Sequence, residues 1–188
     1  NVDAYFRRGK AKMKINDFEG AIEDLTQVIE LDPNNVDAYF YRAEAKESLG
    51  SFFGAVKDYS RVINIDPLYY EAYYKRGLSK SKMKNFEGAI EDFTKVIELN
   101  PTNSDAYLQR GLIHLSLRSY YEAIADFDKT IELNPKSQEA FISRMDAKER
   151  IGDITGACAD AKKAKKLGFK TQEHLDWIKE KCSSGGWF

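Results

Sequence analysis

The pentapeptide Ile29-Glu30-Leu31-Asp32-Pro33 decides the fold, because near-copies of it recur at a constant interval. The copies are INIDP at 63–67, IELNP at 97–101 and IELNP at 131–135, so the four prolines of the chain stand 34 residues apart. A fixed period of this length is typical of repeat architectures. Five units follow: 2–35, 36–69, 70–103, 104–137 and 138–171, the last with Leu-Gly-Phe in place of the proline phrase.

Each unit is predicted to contain two helices. In the first unit these cover residues 3–15 and 19–31, joined by the turn-like residues 16–18. The second helix places apolar residues at i, i+3, i+4, i+7 and i+8, which is one face of a helix: Ala21, Ile22, Leu25, Val28 and Ile29. The proline then ends the helix, since it has no N–H and restricts the residue before it. The sequence therefore predicts an all-α protein.

Four further rows of residues recur with the same period. Position 4 of the unit is aromatic: Tyr5, Tyr39, Tyr73, Tyr107 and Phe141. Position 8 is small except in the last unit: Gly9, Ala43, Gly77, Gly111 and Met145. Position 20 is always alanine: Ala21, Ala55, Ala89, Ala123 and Ala157. Position 24 is large except in the last unit: Leu25, Tyr59, Phe93, Phe127 and Ala161.

This pattern resembles the tetratricopeptide repeat (TPR) family over about nine tenths of the chain. The resemblance implies an α-solenoid, a right-handed superhelix of five helix-turn-helix units, within a single domain at 1–182. Residues 172–182 are similar to the capping helix of the family, with Thr171 as N-cap and Leu175 and Ile178 on the buried face. The tail at 183–188 is flexible in composition and ends in Trp187 and Phe188.

Composition excludes several classes of protein. The 29 basic and 30 acidic residues give a net charge of −1, whereas nucleic-acid binders carry a basic excess. No apolar run approaches membrane-spanning length, and no signal-like segment is visible, which favours a cytoplasmic location. The chain opens at Asn1 without a methionine, which we interpret as a processed protein or a fragment. Cys158 and Cys182 are candidates for neighbours, and two separate free thiols are the favoured expectation. The alternative is a disulfide, which would imply an oxidising compartment.

Charged residues also form rows. Position 7 is always arginine, and position 23 is always aspartate: Arg8, Arg42, Arg76, Arg110 and Arg144, with Asp24, Asp58, Asp92, Asp126 and Asp160. The matched rows predict an Arg–Asp ladder between the first and second helices, within a unit or across neighbours. The alternative is that the arginines form an exposed basic stripe that binds phosphate. Position 11 is lysine or His114, and such a lysine is expected to pack its stem and extend its charge to water.

The resemblance implies that the first helix of each unit lines a concave groove. Eight apolar residues at or near the family's groove positions form what we call the groove row: Phe6, Phe40, Tyr74, Leu78, Leu108, Leu112, Leu115 and Ile142. Contiguous exposed apolar surface marks interaction sites, so the row predicts a peptide-binding surface. The alternative is that these side chains only pack between adjacent first helices.

Position 2 is acidic in every unit, and we call these residues the acidic rim: Asp3, Asp37, Glu71, Asp105 and Glu139. Carboxylates there stabilise the positive end of a helix, and they also steer a basic partner. The Lys/Asn/Arg clamp that some family members use for the C-terminal carboxylate of heat-shock chaperones is not matched. Its positions carry Phe6, Lys10, Tyr41, Glu71 and Lys75, and only Lys75 agrees loosely.

The sequence thus predicts a non-enzymatic scaffold that holds a protein or peptide with apolar anchors and basic flanks. The alternatives are a module that self-associates through the ends of the solenoid or its aromatic tail, and the interaction domain of a larger protein. No nucleophile–base pair, metal cluster or phosphate loop is visible. Catalysis, cofactors, metals, nucleic acid and membranes are therefore not expected.

Overall fold

The computed structural model describes residues 1–182 and contains eleven α-helices, with no β-strand in that range. The helices are α1 (Val2–Lys14), α2 (Phe18–Leu31), α3 (Val36–Ser48), α4 (Phe52–Ile65), α5 (Tyr70–Lys82), α6 (Phe86–Leu99), α7 (Ser104–Ser116), α8 (Tyr120–Leu133), α9 (Gln138–Arg150), α10 (Ile154–Lys166) and α11 (Gln172–Cys182). The predicted all-α helix-turn-helix fold is confirmed. None of these helices is long and apolar enough to cross a membrane.

Side-chain caps and turn residues set the helix boundaries. Asp17 accepts a hydrogen bond from the Gly20 amide at 3.0 Å at the start of α2, and Asn35 caps α3 in the same way at Ala38. The turn between α1 and α2 contains Asn16 at φ +61°, in the left-handed region that asparagine tolerates. The predicted helices of the first unit therefore end within about one residue of the observed ones.

The helices form two compact units, Asn1–Pro101 and the chain from Thr102 onwards. In the first compact unit the helices α1–α6 pack in sequence, each helix on the next. In the second compact unit α7–α11 do the same. The six tail residues at 183–188, which were expected to be flexible, lie outside the described part of the chain.

The core lies where the sequence places its smallest and largest apolar rows. All five position-20 alanines and all five position-24 residues have no solvent exposure. The position-8 glycines allow this packing because their helices approach bulky neighbours closely. A Cβ on Gly111 would lie 2.8 Å from Cε1 of the buried Phe127 ring. The small residues at position 8 and the large residues at position 24 therefore pack against each other.

The capping helix begins and ends as predicted, but its buried face differs. Thr171 Oγ1 accepts a hydrogen bond from the His174 amide at 3.3 Å, which confirms the N-cap. The buried side chain is His174, whose Nε2 lies 3.0 Å from the Ala161 carbonyl oxygen, whereas Leu175 and Ile178 are half-buried. The face is rotated because the histidine finds a polar partner on α10.

A disulfide joins Cys158 of α10 to Cys182 at the end of α11. The expectation of two free thiols is therefore wrong. The packing of α11 on α10 brings the two residues together, with their Cα atoms 5.6 Å apart. This distance lies within the range that a disulfide requires.

Candidate functional site

The arginine row pairs with the aspartate row inside each repeat, which answers the question that the sequence left open. In every repeat the arginine Nε and Nη2 donate to the two carboxylate oxygens of the aspartate 16 residues later. The aspartates are buried, and a planar guanidinium satisfies a carboxylate at two points. The predicted ladder is confirmed as a part of the core, so this row is not a phosphate-binding stripe.

The third arginine nitrogen reaches the preceding repeat, which the sequence did not reveal. Arg42 Nη1 donates to Thr26 Oγ1 at 3.0 Å, and Arg76 Nη1 donates to Ser60 Oγ at 2.9 Å. In the last repeat Arg144 Nη1 binds the Asp128 carboxylate at 2.5 Å. The acceptor is the residue at position 25, which has a hydroxyl in some repeats and a carboxylate in another. Because the residue type varies, no recurring row in the sequence indicates this contact.

The position-11 lysines do not extend to water as expected. Lys46 Nζ lies 2.7 Å from Asp58 Oδ2, and the lysines of repeats 1, 3 and 5 contact their own aspartates in the same way. His114 takes this place in repeat 4, 3.8 Å from the Asp126 carboxylate. The buried carboxylate attracts these charges because water does not compete there. In repeat 1 the hydrogen bond from Arg8 lowers the pKa of Asp24, against the raising effect of burial.

The groove-row residues of the first compact unit are all half-buried. The Phe6 ring meets Tyr41 edge-on with centroids 5.8 Å apart, and Phe40 lies 5.6 Å from Tyr59. Tyr74 meets the buried Phe93 ring at 5.7 Å. Each ring therefore packs between helices with one part and keeps another part accessible. The two interpretations of the row are compatible here.

Polar groups flank these rings. Lys10 Nζ donates to the Tyr41 hydroxyl at 3.0 Å, and Lys75 Nζ forms a 2.8 Å ion pair with Glu44. Deeper in the unit Glu47 accepts hydrogen bonds from the Tyr59 hydroxyl and from the buried Ser79 hydroxyl. Burial raises the pKa of Tyr59, with the nearby Glu47 charge as a second cause. No sequence pattern predicts this network, since Glu47 belongs to no recurring row.

The groove-row residues of the second compact unit fall into two groups. Leu108 is buried in a cluster with Phe127 and Ala123, against which Leu112 and Leu115 pack while half-buried. Leu108 therefore contributes mainly to the core. Ile142 is half-buried and lines a cavity of about 240 Å³ with Met145, Phe169, Thr171, Glu173, His174 and Trp177.

The wall of this cavity is fixed by a polar contact. Trp177 Nε1 donates to Glu149 Oε1 at 3.0 Å, which ties α11 to α9. Phe169 meets the His174 ring edge-on at 5.1 Å. Met145, the only large residue in the position-8 row, was the one signal in the sequence that packing changes at this point.

All five acidic-rim residues are exposed, and each lies in the first turn of α1, α3, α5, α7 or α9. Asp3 forms an i,i+4 ion pair with Arg7 at 2.9 Å. This placement suits the helix dipole and leaves the carboxylates accessible to a partner. Within residues 1–182 no three histidine, cysteine or acidic side chains form a group that could hold a metal ion.

Comparison with known proteins agrees with this geometry. The family "Tetratricopeptide repeat" matches residues 70–103 and 104–137, and the family "TPR repeat" matches residues 3–50. A crystal structure of MamA is 30% identical, with a TM-score of 0.83, over 85% of this chain and 93% of that chain. Another MamA structure is 27% identical with a TM-score of 0.84 and covers 100% of this chain and 97% of that chain.

The structure of YrrB, described as a TPR protein with an unusual peptide-binding site, shares the fold at 18% identity. Its TM-score is 0.83, and the match covers 95% of this chain and 92% of that chain. The repeats and these neighbours support a protein–protein interaction scaffold, in a family whose members are generally not enzymes. On its sequence matches and its helix-turn-helix repeats, the chain belongs to the tetratricopeptide repeat family.

Proposed function

We propose that this protein is a non-enzymatic scaffold that binds an extended or helical segment of a partner protein along its first helices. The observation that carries the proposal is the half-buried state of Phe6, Phe40, Tyr74 and Leu78, with Ile142 at a cavity. Rings held by their neighbours lose little conformational freedom on binding, which favours them as anchors.

The partner's chemistry follows from what surrounds these anchors. Apolar side chains of the partner would contact the exposed parts of the rings, and one would enter the cavity beside Ile142 and Trp177. Lysine or arginine residues flanking them would meet the acidic rim, which raises the rate of association more than the affinity. We expect a transient complex of roughly micromolar affinity. The peptide-binding site named for YrrB supports peptide binding by a protein of this fold.

Site-specific photo-crosslinking tests this assignment. A photoreactive residue at Leu78 or Ile142 should capture the same partner, and affinity capture would identify it. The same residue at Tyr121, which is 73% exposed on α8, is the control and should capture none of it. Equal capture at all three positions would exclude the groove row as the binding surface.

A double variant then measures affinity. Tyr74→Ala with Leu112→Ala should weaken binding of the captured segment at least about tenfold, as expected when anchors are truncated. Tyr121→Ala with Leu117→Ala removes similar exposed surface elsewhere and should leave binding unchanged. Alanine is preferred to aspartate at Leu112 because this residue packs against the Leu108 cluster. Thermal melts of both variants separate lost binding from lost folding.

A second candidate function is self-association through α1. Ala38 and Ala45 of α3 are fully buried, whereas the equivalent Ala4 and Ala11 of α1 are exposed, and the Arg8 side chain is 60% exposed. The helix thus presents a face that other first helices bury. Sedimentation should show concentration-dependent association that Ala11→Lys abolishes. Sedimentation of a chain without residues 183–188 tests whether association depends on the tail rather than on α1.

A further inference from the structure

The end of the last repeat carries a concentration of positive charge that the other repeats lack. Five exposed lysines lie at 162, 163, 165, 166 and 170. Within residues 1–182 no acidic side chain forms an ion pair with any of them. The one acidic residue inside α10 is the buried Asp160, which already binds Arg144 and Lys148. The charge is therefore available to an external anion.

The equivalent helices of two other repeats neutralise the same site internally. Lys95 pairs with Glu98 at 2.9 Å on α6, and Lys129 pairs with Glu132 at 2.6 Å on α8. The corresponding residues of α10 are Lys163 and Lys166, so the glutamate is replaced by a second cation. Stabilisation of the helix C-terminus does not require this change, because α2, α4, α6 and α8 end without a basic residue in the last turn.

The last repeat lacks the hydrogen-bond acceptor that the arginine of a following repeat would use. Lys162 stands at position 25, where Thr26, Ser60 and Asp128 accept a hydrogen bond from the next arginine. A lysine offers no acceptor and would repel an arginine. The lysine face therefore differs in kind from the surfaces that join repeats.

A cleft lies beside the lysines. Its volume is about 540 Å³, and it is lined by Ile154, Ala159, the disulfide of Cys158 and Cys182, and the two cationic residues Lys162 and Lys181. Ile154 keeps 37% of its surface exposed. Thr155 also lines the cleft, and Lys181 forms a 3.1 Å ion pair with Glu180. The cleft thus combines apolar walls with the Lys162 ammonium group, which is an arrangement that suits an amphipathic anion.

We propose that the lysine surface that runs from Lys162 on α10 to Lys170 just after that helix, with the adjoining cleft, binds an acidic peptide segment that carries one apolar side chain. The carboxylates would lie against the lysines, and the apolar side chain would enter the cleft. This surface is separate from the groove row and has the opposite charge preference, so the two proposals stand independently.

A labelled peptide of about eight residues, glutamates around one central leucine, is the probe, because an extended chain of that length spans the lysines. We expect binding that weakens steeply as salt rises, since exposed charges are screened. Lys162→Glu, Lys165→Glu and Lys166→Glu combined should lower the affinity at least tenfold. Replacement of the central leucine by serine should lower it several-fold and would assign the cleft.

Lys82→Glu, Lys84→Glu and Lys136→Glu make the same change in net charge at exposed sites elsewhere and should leave binding unchanged. Equal losses in the two triple variants would overturn the proposal, because only total charge would then matter. Binding to phosphatidylserine vesicles or to DNA without binding of the peptide would also overturn it. The groove variant with Tyr74→Ala should bind the acidic peptide normally, so failure of either proposal is distinguishable.

Discussion

Arg42 and Asp58 meet at two points, Nε to Oδ2 and Nη2 to Oδ1, both at 2.8 Å. The remaining Nη1 of the same guanidinium donates to Thr26 in the preceding repeat. One planar side chain therefore joins the two helices of its own repeat and a helix of the preceding one. A lysine cannot do this, because its single ammonium group lacks the fork geometry.

The first prediction concerns the ladder. Arg76→Ala leaves the Asp92 carboxylate buried with Lys80 as its remaining cation, and the side chain of Asp92 is 3% exposed. Loss of one partner of a buried pair should lower the free energy of unfolding by about 3 kcal/mol. Thermal and urea unfolding measure this loss.

Arg8→Ala is the matched comparison, because the Arg8 side chain is 60% exposed while that of Arg76 is 17% exposed. We expect a clearly smaller loss for Arg8→Ala, since water already screens this pair. Equal effects of the two variants, or no effect of Arg76→Ala, would contradict the structural role assigned to the ladder.

The second prediction concerns acid. The folded protein lowers the pKa of Asp24, chiefly through the Arg8 hydrogen bond, relative to about 3.9 in an unfolded chain. The stabilisation from this carboxylate is therefore complete above the unfolded pKa and is lost as the pH falls through the lower folded pKa. The urea concentration at the unfolding midpoint should therefore decrease as the pH drops below about 4. Asp24→Asn should weaken this dependence of the midpoint on pH.

The third prediction concerns Gly111. Alanine is the better helix former by about 1 kcal/mol, yet its Cβ would lie 2.8 Å from the Phe127 ring, which has no solvent exposure. Overpacking of about 1–3 kcal/mol should exceed the gain in propensity. Thermal unfolding should show a net loss. Gly50→Ala is not a valid control because Gly50 has a φ of +74°. Gly54→Ala serves better, because Gly54 lies inside α4 and its Cβ would meet the Ser51 and Lys46 side chains rather than a buried ring.

The fourth prediction concerns the disulfide, which spans 24 residues. Cys158→Ala with Cys182→Ala should destabilise the second compact unit by up to about 3.5 kcal/mol on loop entropy alone. Hydrogen exchange should quicken at 172–182 while the amides of α7 and α8 stay protected. A dithiol reductant should reproduce the effect in the native chain. Unchanged exchange at 172–182 would show that the Trp177 and His174 contacts hold α11 without the link.

The helices and the ladder were predictable because each depends on local chemistry repeated five times. Pro33 and its equivalents end helices wherever they occur, and a 16-residue spacing keeps each arginine near its aspartate. The Nη1 acceptors were not predictable, because Thr26, Ser60 and Asp128 share a function without sharing a residue type. The Cys158–Cys182 link and the burial of His174 depend on how α11 docks on α10, which the period of the repeats does not specify.

The Nη1 bridge has a consequence for cooperativity. In a linear array, stability is approximately the sum of each repeat's own stability and the coupling to its neighbours. The bridges from Arg42, Arg76 and Arg144 are such couplings, since unfolding of one repeat deprives the next arginine of its acceptor. Repeats inside a compact unit should therefore melt together as blocks. Within residues 1–182, Arg8 forms hydrogen bonds only to Asp24 of its own repeat, so local fluctuations should start at α1.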